Sequence, residues 1–307
     1  MRPASSVFIK QLIATAAGFY QPLGGYAWCF ARGKLAGDPV FAHLLAAGLL
    51  RGHACILDIG CGQGLLASWL LAAQAAARAG DWPEAWPEPP QTSRIRGLEL
   101  MAQDVARADL ALAAAVKAGQ AEFIQADMCS TEFDQADAVV ILDVLHYVSI
   151  AAQDAVLQRV RRALVPGGVL LLRVGDAAGG LGFHISSWVD RVVTMLRGHR
   201  LVTLHCRHLS AWQSALEGLG FMVEARAMSQ GTLFANVLLI ARLPAGTGEG
   251  LSRPGSLPEP GFAARLAART GPADVGGAPP AACCGASLPL QRAVIGAGGA
   301  ALLHASA

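Results

Sequence analysis

Residues 54–71 read ACILDIGCGQGLLASWLL. An apolar run ends on an acid, a glycine-rich turn follows, and a leucine- and alanine-rich stretch begins. Such a segment can hold a ligand. Glycines at 60, 62 and 64 let the backbone approach a bound group closely, and a helix beginning just after them presents unbonded N–H groups. Taken alone, the same residues also suit a tight strand-to-helix turn with no ligand. Two further acids add to the signal: Glu99 near the end of RIRGLEL, and Asp127 in FIQADM. A carboxylate at Glu99 can accept from both hydroxyls of a ribose, and one at Asp127 can accept from an adenine amino group. Asp58, Glu99 and Asp127 would then stand at the carboxyl ends of three successive strands, where open α/β sheets bind their ligands.

The elements that must position these acids follow from the pattern of apolar runs. Strands are predicted over 54–59, 94–100, 121–125, 136–142 and 168–174, with a closing pair over 221–227 and 234–242. Helices are predicted over 65–78, 103–117, 153–164 and 210–219. Strands alternating with helices imply βαβ units and a mostly parallel sheet. The runs are almost wholly apolar, as strands covered on both faces require. Only Met228 to Leu233 joins the closing pair, too short for a crossover helix, so that pair must be antiparallel. DWPEAWPEPPQ, residues 81–91, is too rich in proline for helix and reads as a surface insertion able to offer Trp82 or Trp86 to a contact.

The spacing separates two cofactor classes. A dinucleotide fingerprint needs G-x-G-x-x-G, but position 65 is leucine and the glycines run G-x-G-x-G, with an acid two residues before the first. LDIGCGQG resembles motif I of class I S-adenosylmethionine-dependent methyltransferases, LEL their acidic second-strand motif and ADM their third. DAVVILDVLHYV resembles the fourth-strand motif, LVPGGVLLLRV the turn into the fifth strand, and LEGLGFMVEAR with NVLLIAR the closing pair. The resemblance spans about residues 51–243. It implies an α/β, Rossmann-like seven-stranded sheet ordered 3-2-1-4-5-7-6, the last strand antiparallel, with helices on both faces.

It further implies that S-adenosylmethionine lies along Asp58, Gly60, Cys61, Gly62 and Gly64, with Glu99 and Leu100 at the ribose and Asp127 and Met128 at the adenine. Asp58 would orient the loop, and Asp143 would lie near the methyl group or only hold backbone. Methyl transfer from a sulfonium is an in-line displacement, and a base is needed only where the acceptor must lose a proton. His146 is the candidate base, with Tyr147 beside it; a packed histidine is the plain alternative. His184, His199, His205 and His208 fall where this family builds acceptor pockets, and their surroundings offer no metal-ligand set. Tyr20, Tyr26, Trp28 and Phe30 are candidate pocket aromatics. FARGKLAGDPVF is similar to bacterial methyltransferases of aryl-polyene or fatty-acid-like pathways, which implies an aromatic or acyl acceptor, free or carrier-bound. Two other functions stay open: an NAD(P)-dependent oxidoreductase, and a silent cofactor-binding subunit that acts through a partner.

Composition limits the partners. With 24 basic against 22 acidic side chains and a net charge of +2, the chain has no electrostatic footprint for nucleic acid. Seven scattered cysteines, none in a C-x-x-C pair, form no disulfide framework and fit a reducing cytoplasm. Lys10 interrupts the N-terminal apolar run, and no apolar stretch reaches the length of a membrane span. The expected organisation is an N-terminal helical cap over 1–50, a cofactor-binding domain over 51–243, and an Ala/Gly/Pro-rich tail over 244–307. That tail lacks the large apolar residues that would offset ordering entropy, apart from a weak helical signal over 288–303. Oligomeric state has no signature in the sequence.

Overall fold

The computed structural model describes residues 3–175, 205–228 and 236–245. The expectations for Phe234, His184, His199 and the tail beyond 245 lie outside the described residues. Seven strands form one sheet: β1 (Cys55–Ile59), β2 (Arg94–Glu99), β3 (Ala121–Gln125), β4 (Ala136–Leu142), β5 (Leu164–Gly175), β6 (Met222–Ala227) and β7 (Asn236–Arg242). Their order is β3-β2-β1-β4-β5-β7-β6. The first five are parallel, and β7 runs antiparallel to both its neighbours. This is the sheet that the sequence predicts.

Consecutive strand residues feed opposite cores. Ile56, Ala138, Val140, Val169 and Leu171 pack on one face with α1 (Pro3–Gly18), α2 (Gly25–Gly37), α3 (Pro39–Ala46) and α4 (Leu65–Arg78). Leu57, Val139, Ile141, Leu170 and Leu172 pack on the other with α7 (Ile150–Ala163) and α8 (Leu209–Gly218). Burial on both faces is why these strands are apolar without alternation. Asp137 pins the register from the sheet's lower edge: its Oδ2 accepts from the Ala54 and Cys55 amides at 2.9 and 2.8 Å.

Three element boundaries differ from expectation. The helix predicted over 103–117 is two helices, α5 (Ala102–Ala111) and α6 (Ala113–Lys117), because Leu112 leaves helical geometry at φ −110° and ψ 25°. Helix α7 starts three residues earlier than predicted, since the Ser149 hydroxyl accepts from the Ala152 amide and caps its first turn. Strand β5 begins four residues early, pairing Leu164 with Ala136 before an irregular step to the Ala138–Val169 pair.

The N-terminal helices belong to the same core. Phe8, Leu12 and Ile13 of α1 are buried, whereas Val7 is exposed, so the apolar face of α1 packs inward. Phe8 stands edge-on to both Trp82 and Trp86, with ring centroids 5.6 and 5.4 Å away. The proline-rich insertion thus clamps the first helix. Among the described residues no helix is long and apolar enough to cross a membrane.

Candidate functional site

At the carboxyl end of β1 the chain must turn sharply from a buried strand into α4. Gly60, at φ +76°, leaves no room for a side chain: an added Cβ would lie 2.4 Å from a Val144 methyl. Gly64, also at φ +76°, occupies the left-handed N-cap position of α4. Between them, the Gly62 amide donates to Glu99 Oε2 at 2.9 Å, while the other Glu99 oxygen accepts from the Met101 amide at 2.9 Å. Glu99, at the end of β2, therefore orders the glycine loop itself.

The loop lines one wall of a cavity of about 180 Å³. Asp58 and Cys61 face it from the loop side, Phe30 and Lys34 from α2, Phe41 from α3, and Leu142, Asp143 and Arg173 from the ends of β4 and β5. Asp58 is 4% exposed. Burial raises its pKa to about 7, and the charge of Glu99 adds to the rise. Burial, with Asp58 and Glu99 nearby, also pushes the Cys61 thiol well up, so it is a thiol rather than a thiolate. Two carboxyl groups and an inert thiol around a loop of backbone amides can accept a cationic group beside a polar one.

Tyr20, fully buried, reaches from the cap to donate to the Gln63 carbonyl at 2.7 Å. Of the four aromatics singled out in the cap, Tyr20 holds the loop, Phe30 lines the cavity, Trp28 is half-buried beneath Arg32, and Tyr26 is 71% exposed.

The remaining sequence-predicted residues fall around this centre. Leu100 is 60% exposed, just beyond Glu99, and its carbonyl accepts from Gln125. Asp127 closes a turn after β3, one carboxylate oxygen accepting from the Cys129 amide at 2.8 Å. The neighbouring Met128 carbonyl accepts from Arg159. Asp143 lines the cavity in the left-handed region, at φ +59°, with its carboxylate on Arg173.

His146 and Tyr147 lie in a 3-10 turn after β4, their rings 4.2 Å apart, and neither is among the residues lining the glycine-loop cavity. That turn is stapled by Gln153, a fully buried side chain whose amide reaches the Leu145, Val148 and His205 carbonyls. His205 in turn donates its backbone N–H to the His146 carbonyl at 2.8 Å, and His208 stands at the N-cap of α8. No cluster among the described residues has three His, Cys, Asp or Glu placed to hold a metal.

Several contributors carried little sequence signal: Lys34, Asp38, Phe41, Gln153 and Arg173. The best available clue was chemical. Arg173 interrupts an apolar strand and Gln153 an amphipathic helix, and a buried polar side chain must have partners.

A family model described as "Methyltransferase domain" matches residues 57–170. The fold is shared with an O-methyltransferase family protein from Burkholderia thailandensis, at 19% identity and a TM-score of 0.51, over 71% of this chain and 58% of that one. It is likewise shared with the S-adenosylmethionine-dependent methyltransferase SibL in its apo form, at 18% identity and a TM-score of 0.52, over 71% and 57% of the two chains. The chain thus spans less than two thirds of either structure's length. No curated protein matches the sequence.

Proposed function

We propose that this chain, whose residues 57–170 match a family model described as "Methyltransferase domain", transfers a methyl group from S-adenosylmethionine to oxygen or carbon of a small-molecule acceptor. The observation that carries the reading is Glu99. Its carboxylate ends the second strand and joins the glycine loop through the Gly62 amide, at the carboxyl edge of the sheet where open α/β sheets bind their ligands. In this reading the methionine half of the cofactor lies against Asp58, Gly60, Cys61, Gly62 and Gly64. The ribose displaces one or both backbone donors from Glu99, with Leu100 beside it. The adenine lies toward Asp127 and Met128.

The buried Asp58 and the half-buried Glu99 favour a cationic ligand, and S-adenosylmethionine carries a sulfonium and an ammonium. Positioning and exclusion of water supply much of the rate of such a displacement. Phe30, Phe41 and Leu142 give the cavity its apolar wall. For the acceptor we favour an aromatic or acyl compound, free or carrier-bound, over nucleic acid, because the near-neutral charge balance gives no basic surface. Where that acceptor must lose a proton, we assign the task to His146, with Tyr147 packed on it. The silent-subunit alternative differs in binding cofactor without turning over any acceptor.

Calorimetric titration with S-adenosylhomocysteine, NAD(H) and NADP(H), each separately, tests the cofactor. S-adenosylhomocysteine alone should bind. Glu99→Ala should lose about 2–3 kcal/mol of that binding, roughly 30- to 150-fold, as expected for hydrogen bonds to a charged group. Binding of a nicotinamide nucleotide in its place would reassign Glu99 to a dinucleotide ribose and end the methyltransferase reading.

A further inference from the structure

Arg173 is a cation in the middle of the apolar run LLLRV, and it is 2% exposed. Its guanidinium is clasped by two carboxylates from distant parts of the chain. Nη2 donates to Asp38 Oδ2 at 2.7 Å and Nε to Asp143 Oδ1 at 2.8 Å. A second, shorter contact joins it to each acid, from Nη1 to Asp38 and from Nη2 to Asp143. Both acids are thus held in a two-point grip.

The three partners bring together three walls of the cavity. Asp38 sits at the junction of α2 and α3. Its Oδ1 accepts from the Val40 amide at 3.1 Å, capping α3, and its Oδ2 takes Lys34 Nζ of α2 at 2.9 Å. Asp143 ends the β4 segment in a left-handed conformation that few residue types tolerate. Lys34, Asp143 and Arg173 all line the cavity.

Buried ion clusters add little net stability compared with apolar residues of the same volume, but they fix one geometry. Here the geometry fixed is that of the N-terminal helices against the carboxyl end of the sheet. We propose that Arg173 is a positioning residue: through Asp38 and Asp143 it holds α2 and α3 as a preformed wall over the glycine-loop cavity, rather than as a lid that closes on its ligand.

The Asp38 arm of the clasp is insensitive to ordinary changes of pH. Burial alone would raise the Asp38 pKa, but the Arg173 hydrogen bonds and charge, with Lys34, outweigh it and hold the pKa at about 2. What the clasp governs is a population. A ligand that binds only the closed arrangement has its apparent affinity multiplied, and so reduced, by the fraction of molecules already closed. With the clasp intact that fraction is near one.

The affinity part of this inference rests on the cavity taking S-adenosylmethionine, so the test has an arm that needs no ligand. Hydrogen exchange would be followed in the wild type, in Arg173→Lys, and in the triple variant Asp38→Asn, Arg173→Met, Asp143→Asn. The triple variant leaves no buried charge orphaned. Asn at 38 keeps the helix cap, and Asn at 143 keeps the tolerance for positive φ. Without ligand, amides of residues 25–46 should exchange about tenfold faster in both variants, while β1 and β4 keep wild-type rates. S-adenosylhomocysteine should bind more weakly in proportion to the closed fraction lost, and at saturation should restore slow exchange over 25–46.

Wild-type exchange over 25–46 in both variants would overturn the proposal. So would uniform acceleration through the sheet, which marks plain destabilisation. Failure of the wild type to bind S-adenosylhomocysteine would sink the methyltransferase reading, while the ligand-free exchange would still judge the clasp.

Discussion

Asp58 is the residue whose charge state most depends on what surrounds it. Folding raises its pKa from 3.8 to about 7, so the folded state prefers the protonated acid. The stabilisation this preference provides is fully present below about pH 4 and is lost as pH rises through 7. Urea melts of wild type and Asp58→Asn should therefore nearly coincide at about pH 3. At pH 8 the variant should be more stable, by roughly 4 kcal/mol. An equal difference at both pH values would mean that Asp58 does not titrate in this window. The same residue predicts a difference between cofactor and product. In the placement proposed above, the sulfonium of S-adenosylmethionine would favour the Asp58 carboxylate, so binding near pH 6 should release a proton, whereas neutral-sulfur S-adenosylhomocysteine should release less. Calorimetry in two buffers of different ionisation enthalpy reads this directly.

At the scale of elements, the strands were legible because strands buried on both faces must be apolar throughout, and the antiparallel pair because the join after Met228 is too short for a crossover. Their order followed from the resemblance of the motifs. The glycine loop was legible because its positive φ angles admit few residue types, and Glu99 because it is an acid at the end of a strand-like run. Helix ends were less so: the break at Leu112 has no glycine or proline to announce it. Nor could sequence show that Asp38 meets Arg173, since neither has a local reason to meet the other. The proline-rich insertion was read as a source of aromatic contacts but not assigned a target, which the structure identifies as Phe8 of α1. Phe8→Ala should destabilise the protein by about 3–5 kcal/mol in denaturant melts, as a buried aromatic truncation does. A loss under 1 kcal/mol would show that the insertion does not hold α1.

Across the whole molecule, the cap and the sheet share their hydrogen-bond accounting. Tyr20 satisfies the Gln63 carbonyl from the far side of the loop, so Tyr20→Phe leaves a buried acceptor unmet. Such a loss should cost about 1–3 kcal/mol of stability, and calorimetry should find S-adenosylhomocysteine bound several-fold more weakly. A variant with unchanged stability and affinity would remove the cap from the loop's support. The Asp38–Arg173 clasp also imposes an order on assembly, because its partners are 135 residues apart. At ordinary translation rates of about 5–20 residues per second, Arg173 leaves the ribosome roughly 7–27 s after Asp38. For that interval α2 and α3 have neither the complete sheet to cover their apolar faces nor the guanidinium to neutralise their acid. Helices made well before β5 are among the last elements to be secured, and a nascent chain stalled before β5 would present those faces to chaperones.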